Sequence, residues 1–573
     1  MSNFFTDNSD LQFQFNQLGL EDVIAIREEE YREAARYPWA PTDYADALDN
    51  YRRVLEIVGD LTANFVAPRA AEVDVEGNTL EDGKVRYARG TREALDRLAQ
   101  AELMGVTLPR QYGGLNFPIT VYIMAIEMIS RGDASLMNIY GLQDVAETIH
   151  RFGDEAQREE FLPRFANGDV TGAMVLTEPD AGSDLQAVKL QAYQDAEGRW
   201  RLRGVKRFIT NGCGEVLLVL ARSEPGTKDG RGLSLFVCYG DETVKVRRIE
   251  HKLGIHGSPT CELQFNDTPA QLVGKRKLGL IRYVMDLMNA ARLGVSAQAL
   301  GIAQAAYEEA LSYARARQQF GQAIVHLPPV TNMLIDMRVA LEANRSLLYA
   351  TAKWVDRREA LTTRAEALKA RGESSGEAGE KSKEASQISG LLTPLTKYVL
   401  SESANQIAYD ALQIHGGAGY MKEFPVERLA RDARITNIYE GTSQMQVVAA
   451  SGGVMKDLLG AHFAAEEERP RKGTLVRLCD ALKEMRRLFL EGLKTVTERG
   501  DKAFADVAAK ELVDIYGHLY VGYLLLDEAE RDEHKVFIAQ RYIVSALSKC
   551  RRAAGSILHE QFADLIHVDK ILV

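Results

Sequence analysis

Residues 437–446 read NIYEGTSQMQ, with one carboxylate, Glu440, between a tyrosine and a glycine and just ahead of a helix-start pattern. Two readings compete. Glutamate at a reversal, followed by glycine and threonine, is ordinary turn and cap material. Held by backbone beside a carbon acid, the same carboxylate is a general base. The run alone does not choose.

Four other stretches carry the same ambiguity. LTEPDAGSDL (176–185) ends a strand, and its Asp180, Gly182 and Ser183 suit a tight turn. They equally suit a loop of N–H and hydroxyl donors around a heterocycle or a phosphate. RFITNG (207–212) sets Phe208 and Thr210 on one side of a strand, either as a half-buried face or as a stacking ring and a donor for a flavin. ARARQQFG (314–321) places Arg317 before an aromatic and a glycine, solvated or paired with phosphate oxygens. QIHGGAGY (413–420) ends a helix in glycines, which also let backbone approach a pyrophosphate. His415 in that run reads as packed or solvent-facing, because no second ligand stands at metal spacing.

The elements that must position these residues follow from composition and pattern. The chain has 573 residues, 46% hydrophobic and 26% charged, which suits a soluble protein of several structural units. A net charge of -11 argues against nucleic acid or an anionic membrane as the main partner. Five scattered cysteines without CxxC spacing suggest neither a zinc site nor a disulfide framework. The start, MSNFFTDNSD, lacks signal-peptide character, and no apolar run reaches membrane-spanning length, so the expected location is cytoplasmic.

Residues 1–45 are expected to form an N-terminal extension outside the core, and 46–170 a helical domain in which Val54, Ile57, Val58, Leu61 and Phe65 share a face. Residues 171–275 hold seven short β-rich runs divided by Gly, Asp, Asn and Pro, which predicts an antiparallel sheet or small barrel. Residues 276–455 return to helix, with Val295, Ala299, Ile302, Ala306 and Ala310 on one stripe rich in small residues. The polar tract ARGESSGEAGEKSKEASQISG (370–390) reads as a solvated loop, and 456–573 as an additional helical extension. The fold class is α+β, mainly α.

In their order along the chain, LTEPDAGSD, FITNG, RQQFG, QIHGGAGY and IYEGTSQMQ resemble the successive signatures of the acyl-CoA dehydrogenase family, over roughly residues 50 to 455. Extensions at both ends make it similar to longer bacterial members. The resemblance implies an N-terminal helical domain, a middle β-barrel, a C-terminal four-helix bundle, FAD, and a homo-oligomer, tetramer or dimer. It implies flavin contacts at Met174, Leu176, Thr177, Gly182, Ser183, Phe208 and Thr210. The family commonly has tryptophan where Phe208 stands, so the stacking face is kept and a donor is lost. Arg317, Phe320, Gln413 and Gly417 resemble residues that reach the FAD of a neighbouring subunit, and Thr442 and Gln444 the contacts that follow the base. Ser183, Arg292, Tyr439 and Gly441 are the implied substrate contacts. No metal is implied.

The implied reaction removes the pro-R α-proton of an acyl-CoA with Glu440 and passes the β-hydrogen as hydride to flavin N5, giving the trans-2-enoyl-CoA. The implied donors to the enolate-like oxygen are the Glu440 N–H and a ribityl hydroxyl. A following helix start favours the ionised carboxylate, whereas burial under substrate favours the proton, and burial is expected to win. Some branches place the base just before the core arginine, where this chain has Ala291. An arginine that binds a glutaryl-type carboxylate is replaced by Leu136, which disfavours a dicarboxylate. The implied electron acceptor is electron-transferring flavoprotein, in fatty acid β-oxidation or related acyl-CoA metabolism. Two alternatives share the motifs: an acyl-CoA oxidase using oxygen, and a DNA-associated alkylation-response flavoprotein, which would need a basic face on its tail.

Overall fold

The computed structural model describes residues 2–559 and 568–572. Its contacts divide the chain into one unit of Met1–Ala306 with Gly416–Glu440, and another of Tyr307–His415 with Gly441–Val573.

In the first unit, helix α1 (Ser9–Asn16) is opened by Asn8, whose side chain accepts from the Leu11 N–H. The segment expected to stand outside the core belongs to it: Phe5, Leu11, Leu20 and Ile24 have no exposed surface. Buried Glu28 receives both arms of Arg110, at 2.6 and 3.0 Å. That charge pair needs the surrounding apolar contacts to hold its geometry. Helix α2 (Tyr44–Leu61) buries Tyr51, Leu55 and Val58, while Ile57 turns out to solvent at 49% exposure. The buried stripe thus runs beside the expected one, centred on Tyr51 and Leu55. Helix α3 (Ile119–Gly132) is buried over most of its surface and α4 (Ala134–Tyr140) over all of it, as apolar residues all round require. Helices α5 (Gln143–Phe152) and α6 (Glu155–Ala166) follow, the latter opened by a reciprocal Asp154–Gln157 capping box.

Seven strands come next: β1 (Gly172–Val175), β2 (Gln191–Gln194), β3 (Trp200–Thr210), β4 (Val216–Arg222), β5 (Leu233–Tyr239), β6 (Val244–Ile249) and β7 (Thr260–Val273). The order β1-β4-β2-β3-β7-β5 closes on itself through a β4–β5 pairing, with β6 added on β7. This is the small barrel the alternation predicts. One detail differs: β1 runs parallel to β4, and β2 meets β4 in parallel at Gln191 and Arg222. Strand direction depends on the connections, which residue alternation does not encode. Inside the ring Val175, Leu202, Leu217, Phe236 and Phe265 form one core. On the outside Leu218, Leu235 and Val237 form another with Ile149, Phe161 and Leu162 of α5 and α6.

Helix α7 (Met285–Ala316) begins in the first unit, and every residue of its predicted apolar stripe is buried. The small residues permit close approach: a Cβ on Gly301 would lie 2.5 Å from the Glu127 carbonyl oxygen of α3.

The second unit holds α8 (Pro328–Ala370) and α9 (Gly376–His415). The polar tract expected as a loop is mostly the first turns of α9. Its Glu and Lys residues are good helix formers, Glu377 pairs with Lys381 one turn on at 2.6 Å, and Ala385 and Ile388 give it a buried side. Helix α10 (Val426–Ala433) returns to the first unit, and α11 (Ser443–Val454) to the second. The C-terminal helices α12 (Thr474–Arg499), α13 (Lys502–Ala529) and α14 (Glu533–Leu558) pack on one another, and α13 also packs on α8 and α11. Polar anchors tie them in: Tyr398 to Asp514 at 2.9 Å, and buried Lys535 to Glu342 at 2.8 Å. Among the described residues no helix is long and apolar enough to cross a membrane.

Candidate active site

The residues singled out in sequence fall into three groups. The first lies around Glu440. Chain leaving α10 passes through a short turn, Arg434–Asn437, and reaches Glu440 at φ 53° and Gly441 at φ 89°. Two successive left-handed residues are costly unless the surroundings enforce them, about 1–2 kcal/mol for the one that carries a Cβ. Tyr439 supplies part of that enforcement. Its hydroxyl donates towards Asn138 Oδ1 at 3.0 Å and towards Gln298 Oε1, which anchors it to α4 and α7. Burial, and then the Glu440 charge, push its phenol well above the usual range. Arg292 on α7 is 7% exposed, and its Nη1 donates to Asn289 Oδ1 at 3.0 Å. Burial draws its guanidinium below the usual value and the Glu440 charge opposes that shift, so the two residues interact electrostatically. Ala291, the alternative base position, is buried and carries no ionisable group.

Just beyond, in the second unit, Gly441 and Thr442 lead into α11, whose Met445 N–H is accepted by the Thr442 hydroxyl at 3.4 Å. Gln444 is exposed on the first turn. The Gly441 carbonyl accepts from Lys397 Nζ at 2.7 Å and from Gln446 Nε2 at 2.9 Å.

The second group is on the barrel. Met174, next to last in β1, is half-buried, Leu176 is buried, and Thr177 is half-buried. The turn after them is closed by reciprocal backbone bonds between Glu178 and Ala181, which leave Gly182 and Ser183 exposed beyond it. Fully buried Lys206 braces the turn, donating to the Leu176 carbonyl at 2.6 Å and lying 3.0 Å from Glu178 Oε1. Burial brings its ammonium down to about 8, with Glu178 pulling the other way. The Arg207 N–H donates to the Thr177 carbonyl at 3.0 Å, which sets the turn beside β3. There the β3–β7 register breaks between Lys206 and Ile209, Phe208 takes φ 61°, and its ring stands 51% exposed. A bulge re-aims a side chain in this way at one residue of cost. Thr210 lies past it, opposite Thr260.

The third group is in the second unit, except for Gly417. Arg317 and Phe320 sit on a small hairpin of β8 (Gln318–Gln319) and β9 (Gln322–Ala323), where Phe320 has φ 51° and is 89% exposed. Gln413 is exposed near the end of α9. Tyr313 stacks on His415 with ring centroids 4.3 Å apart, which holds Arg317 and Gln413 at the same end of the bundle. His415 is buried and bonded to the Ala411 carbonyl, so it is a packed residue, as the spacing argument expects. Gly417 is exposed in the first unit.

Sequence reading did not single out Asn138, Gln298, Lys206 or Lys397. A signal existed for Lys206 alone, a charge on the same strand face as Leu202. Among the described residues no cluster of His, Cys, Asp or Glu could hold a metal.

One buried acid near the site titrates in an accessible range. Asp432, in α10, accepts from the Ile255 N–H at 2.5 Å, and burial pushes its carboxyl up to about 6 against the pull of Arg428. A folded pKa above the ordinary 3.8 means that Asp432 favours the fold when protonated. That contribution is complete below about pH 4 and is lost as pH rises through about 6, on the order of 2–3 kcal/mol in all. Asp432→Asn keeps an acceptor for Ile255 and removes the titration. Its melting temperature should change less between about pH 5 and pH 7 than that of the unmodified protein. Parallel pH profiles would refute the assignment.

Comparison with known proteins places these elements in a wider set. Residues 49–169, 173–268 and 281–453 match the N-terminal, middle and C-terminal domain models of acyl-CoA dehydrogenase, and 461–562 match a further acyl-CoA dehydrogenase C-terminal model. A 3-methylmercaptopropionyl-CoA dehydrogenase of Ruegeria pomeroyi is 33% identical over 521 residues, 83% of this chain and 85% of that protein. An acyl-CoA dehydrogenase of Bacillus subtilis is 38% identical over 376 residues, 64% of this chain and 90% of that protein. The crystal structure of a Bacillus anthracis acyl-CoA dehydrogenase complexed with FAD has the same fold, with a TM-score of 0.75 over 89% of this chain and 88% of its own, at 24% identity.

Proposed function

This chain belongs to the acyl-CoA dehydrogenase family of oxidoreductases, and from that premise we propose that Glu440 is the base that takes the α-proton of an acyl-CoA thioester. The observation that carries the reading is the setting of Glu440, next to a Tyr439 anchored on Asn138 and Gln298 and in electrostatic interaction with the buried Arg292 guanidinium. The Glu440 N–H and its carboxylate lie on the same residue, so a thioester held by the one brings its α-carbon to the other. Tyr439 fixes the approach to that residue, and Arg292 supplies a buried positive charge that favours the ionised base.

The barrel and bundle residues suit FAD. Phe208 offers an exposed ring, and among the described residues no hydrogen bond engages the hydroxyls of Thr177 or Ser183. Met174, Leu176, Thr177, Gly182, Ser183, Phe208, Thr210, Thr442 and Gln444 would hold it. Arg317, Phe320, Gln413 and Gly417 would reach the FAD of a second copy, which makes the active form a homo-oligomer. When bound, FAD accepts the β-hydrogen as hydride. Electron-transferring flavoprotein would be the electron acceptor, in acyl-CoA β-oxidation in the cytoplasm.

The tail speaks against a nucleic-acid role. Arg469 lies 3.0 Å from Glu466, Arg471 2.9 Å from Glu530, and Arg551 2.9 Å from Glu484. Arginines of its basic runs are thus paired with its own carboxylates.

A panel of acyl-CoA esters with an artificial electron acceptor tests the reading. Flavin bleaching together with enoyl-CoA product is expected for at least one ester. No bleaching across the panel would overturn it. Hydrogen peroxide in place of flavoprotein reduction would make the enzyme an oxidase.

A further inference from the structure

The turn from β3 to β4 brings together two cysteines that the sequence keeps far apart, Cys213 and Cys261. Asn211 starts that turn at φ 52°. Its N–H donates to the Pro259 carbonyl at 2.8 Å, and its Nδ2 to the Gly172 carbonyl at 3.0 Å, which ties the turn to the entry of β7 and to β1. Ile209 faces Cys261 across the β3–β7 pair. A Cβ on Gly212 would lie 2.8 Å from the Cys261 Cβ, so the turn rests directly on Cys261. Cys213 is the next residue, and the two thiols share a hydrogen bond. The Cys213 Sγ also stands 3.7 Å from the Tyr87 hydroxyl and 3.7 Å from Asn211 Oδ1, an oxygen that accepts from Tyr87 at 2.5 Å.

The two sulfurs are not equivalent. Cys213 is half-buried, whereas Cys238, Cys261, Cys479 and Cys550 are buried. The thiolate is the reactive form of a cysteine, and both its stability and its access to solution decide where oxidation falls. The bond from Cys261, opposed by burial and helped by Tyr87, draws the Cys213 thiol below its ordinary range. Cys261, the donor of that bond, is pushed far up. Burial pushes Cys238 well up and Cys550 up to about 12. One accessible, readily ionised thiol thus touches one covered thiol that keeps its proton. An oxidisable cysteine and its resolving partner require that asymmetry.

We propose that Cys213 is a modification site for hydroperoxides, and that Cys261 resolves the product to a disulfide within the chain. The Cys213 thiolate attacks one peroxide oxygen; an S–O bond forms, the O–O bond breaks, and hydroxide takes up the Cys213 proton and leaves as water. The Cys261 sulfur then attacks the Cys213 sulfur; the S–S bond forms, the S–O bond breaks, and the second hydroxide leaves with the Cys261 proton. Two thiols lose two electrons and the peroxide gains them. This chemistry is independent of acyl-CoA turnover. The new bond closes immediately beyond Thr210, at the end of the strand that carries Phe208.

Full-chain holoenzyme treated with hydrogen peroxide should lose two free thiols per chain. Its digest should contain the Cys213 and Cys261 peptides joined, a link that dithiothreitol reverses. Cys213 should react at least about tenfold faster than Cys479 or Cys550. In Cys261→Ser the reaction should stop at the sulfenic acid, which dimedone labels at Cys213. In Cys213→Ser, Cys261 should stay reduced over the same time. Cys213 reacting no faster than the buried cysteines would overturn the proposal. So would joined peptides found only in a species of doubled mass on a non-reducing gel, or Cys261 oxidised at the unmodified rate in Cys213→Ser. Peptide mapping of the unmodified protein decides the matter by itself should either variant fail to fold.

Discussion

Glu440→Gln is expected to retain its flavin and lose turnover by at least about 10³-fold. The amide matches the carboxylate in size and keeps the left-handed backbone, so the fold and the cofactor contacts have no reason to change. It cannot accept a proton. The electrostatic pairing with Arg292 is lost as well, which leaves a buried guanidinium with less compensation. Two measurements therefore belong together: flavin content of the purified variant, and bleaching on mixing with acyl-CoA. Full flavin with no bleaching is the expected pair. Near-normal turnover would remove Glu440 from the mechanism, and Ala291 offers no substitute.

Lys397→Met should give the next largest effect while touching neither substrate nor cofactor. Lys397 has no exposed surface, and its Nζ holds the Gly441 carbonyl, one peptide beyond the base, at 2.7 Å. Gln446 holds the same oxygen at 2.9 Å. A Cβ on Gly441 would come within 2.7 Å of the Gln446 amide, so this peptide is clamped by contact as well as by charge. Removing the ammonium should cost about 2 kcal/mol of stability. The resulting freedom at Gly441 should lower kcat about 10- to 100-fold with flavin content unchanged. Lys397→Arg, which restores the charge but not the shape, should recover stability more than kcat. A folded Lys397→Met enzyme with unaltered kcat would show that backbone geometry alone holds the base.

Much of this architecture is legible in sequence because it rests on short-range rules. Alternation and turn residues mark all seven barrel strands, and the small-residue stripe from Val295 to Ala310 marks α7 as a close-packed helix. The failures have a common cause. The polar tract at 370–390 has loop composition, yet Ala385 and Ile388 find a buried surface that sequence does not display, and tertiary packing makes it helix. Ile57 and Leu55 are equally apolar, and only the position of neighbouring elements decides which one faces inwards. The site divides in the same way. The run around Glu440 does not choose between turn and base, and it is only the order of five motifs along the chain, through the family resemblance, that singles Glu440 out. Asn138 is not singled out, since its meaning comes from Tyr439, 301 residues away.

That separation bears on how the enzyme is made. The first unit is complete only when Gly416–Glu440 joins Met1–Ala306, so 134 residues, from 306 to 440, are synthesised after its main part has left the ribosome. At about 5–20 residues per second the delay is roughly 7–27 s. During that interval Gln298 of α7 and Asn138 of α4 wait without Tyr439. The base is thus the last residue its unit receives, and the nascent chain cannot be catalytically competent before the fold around it is closed.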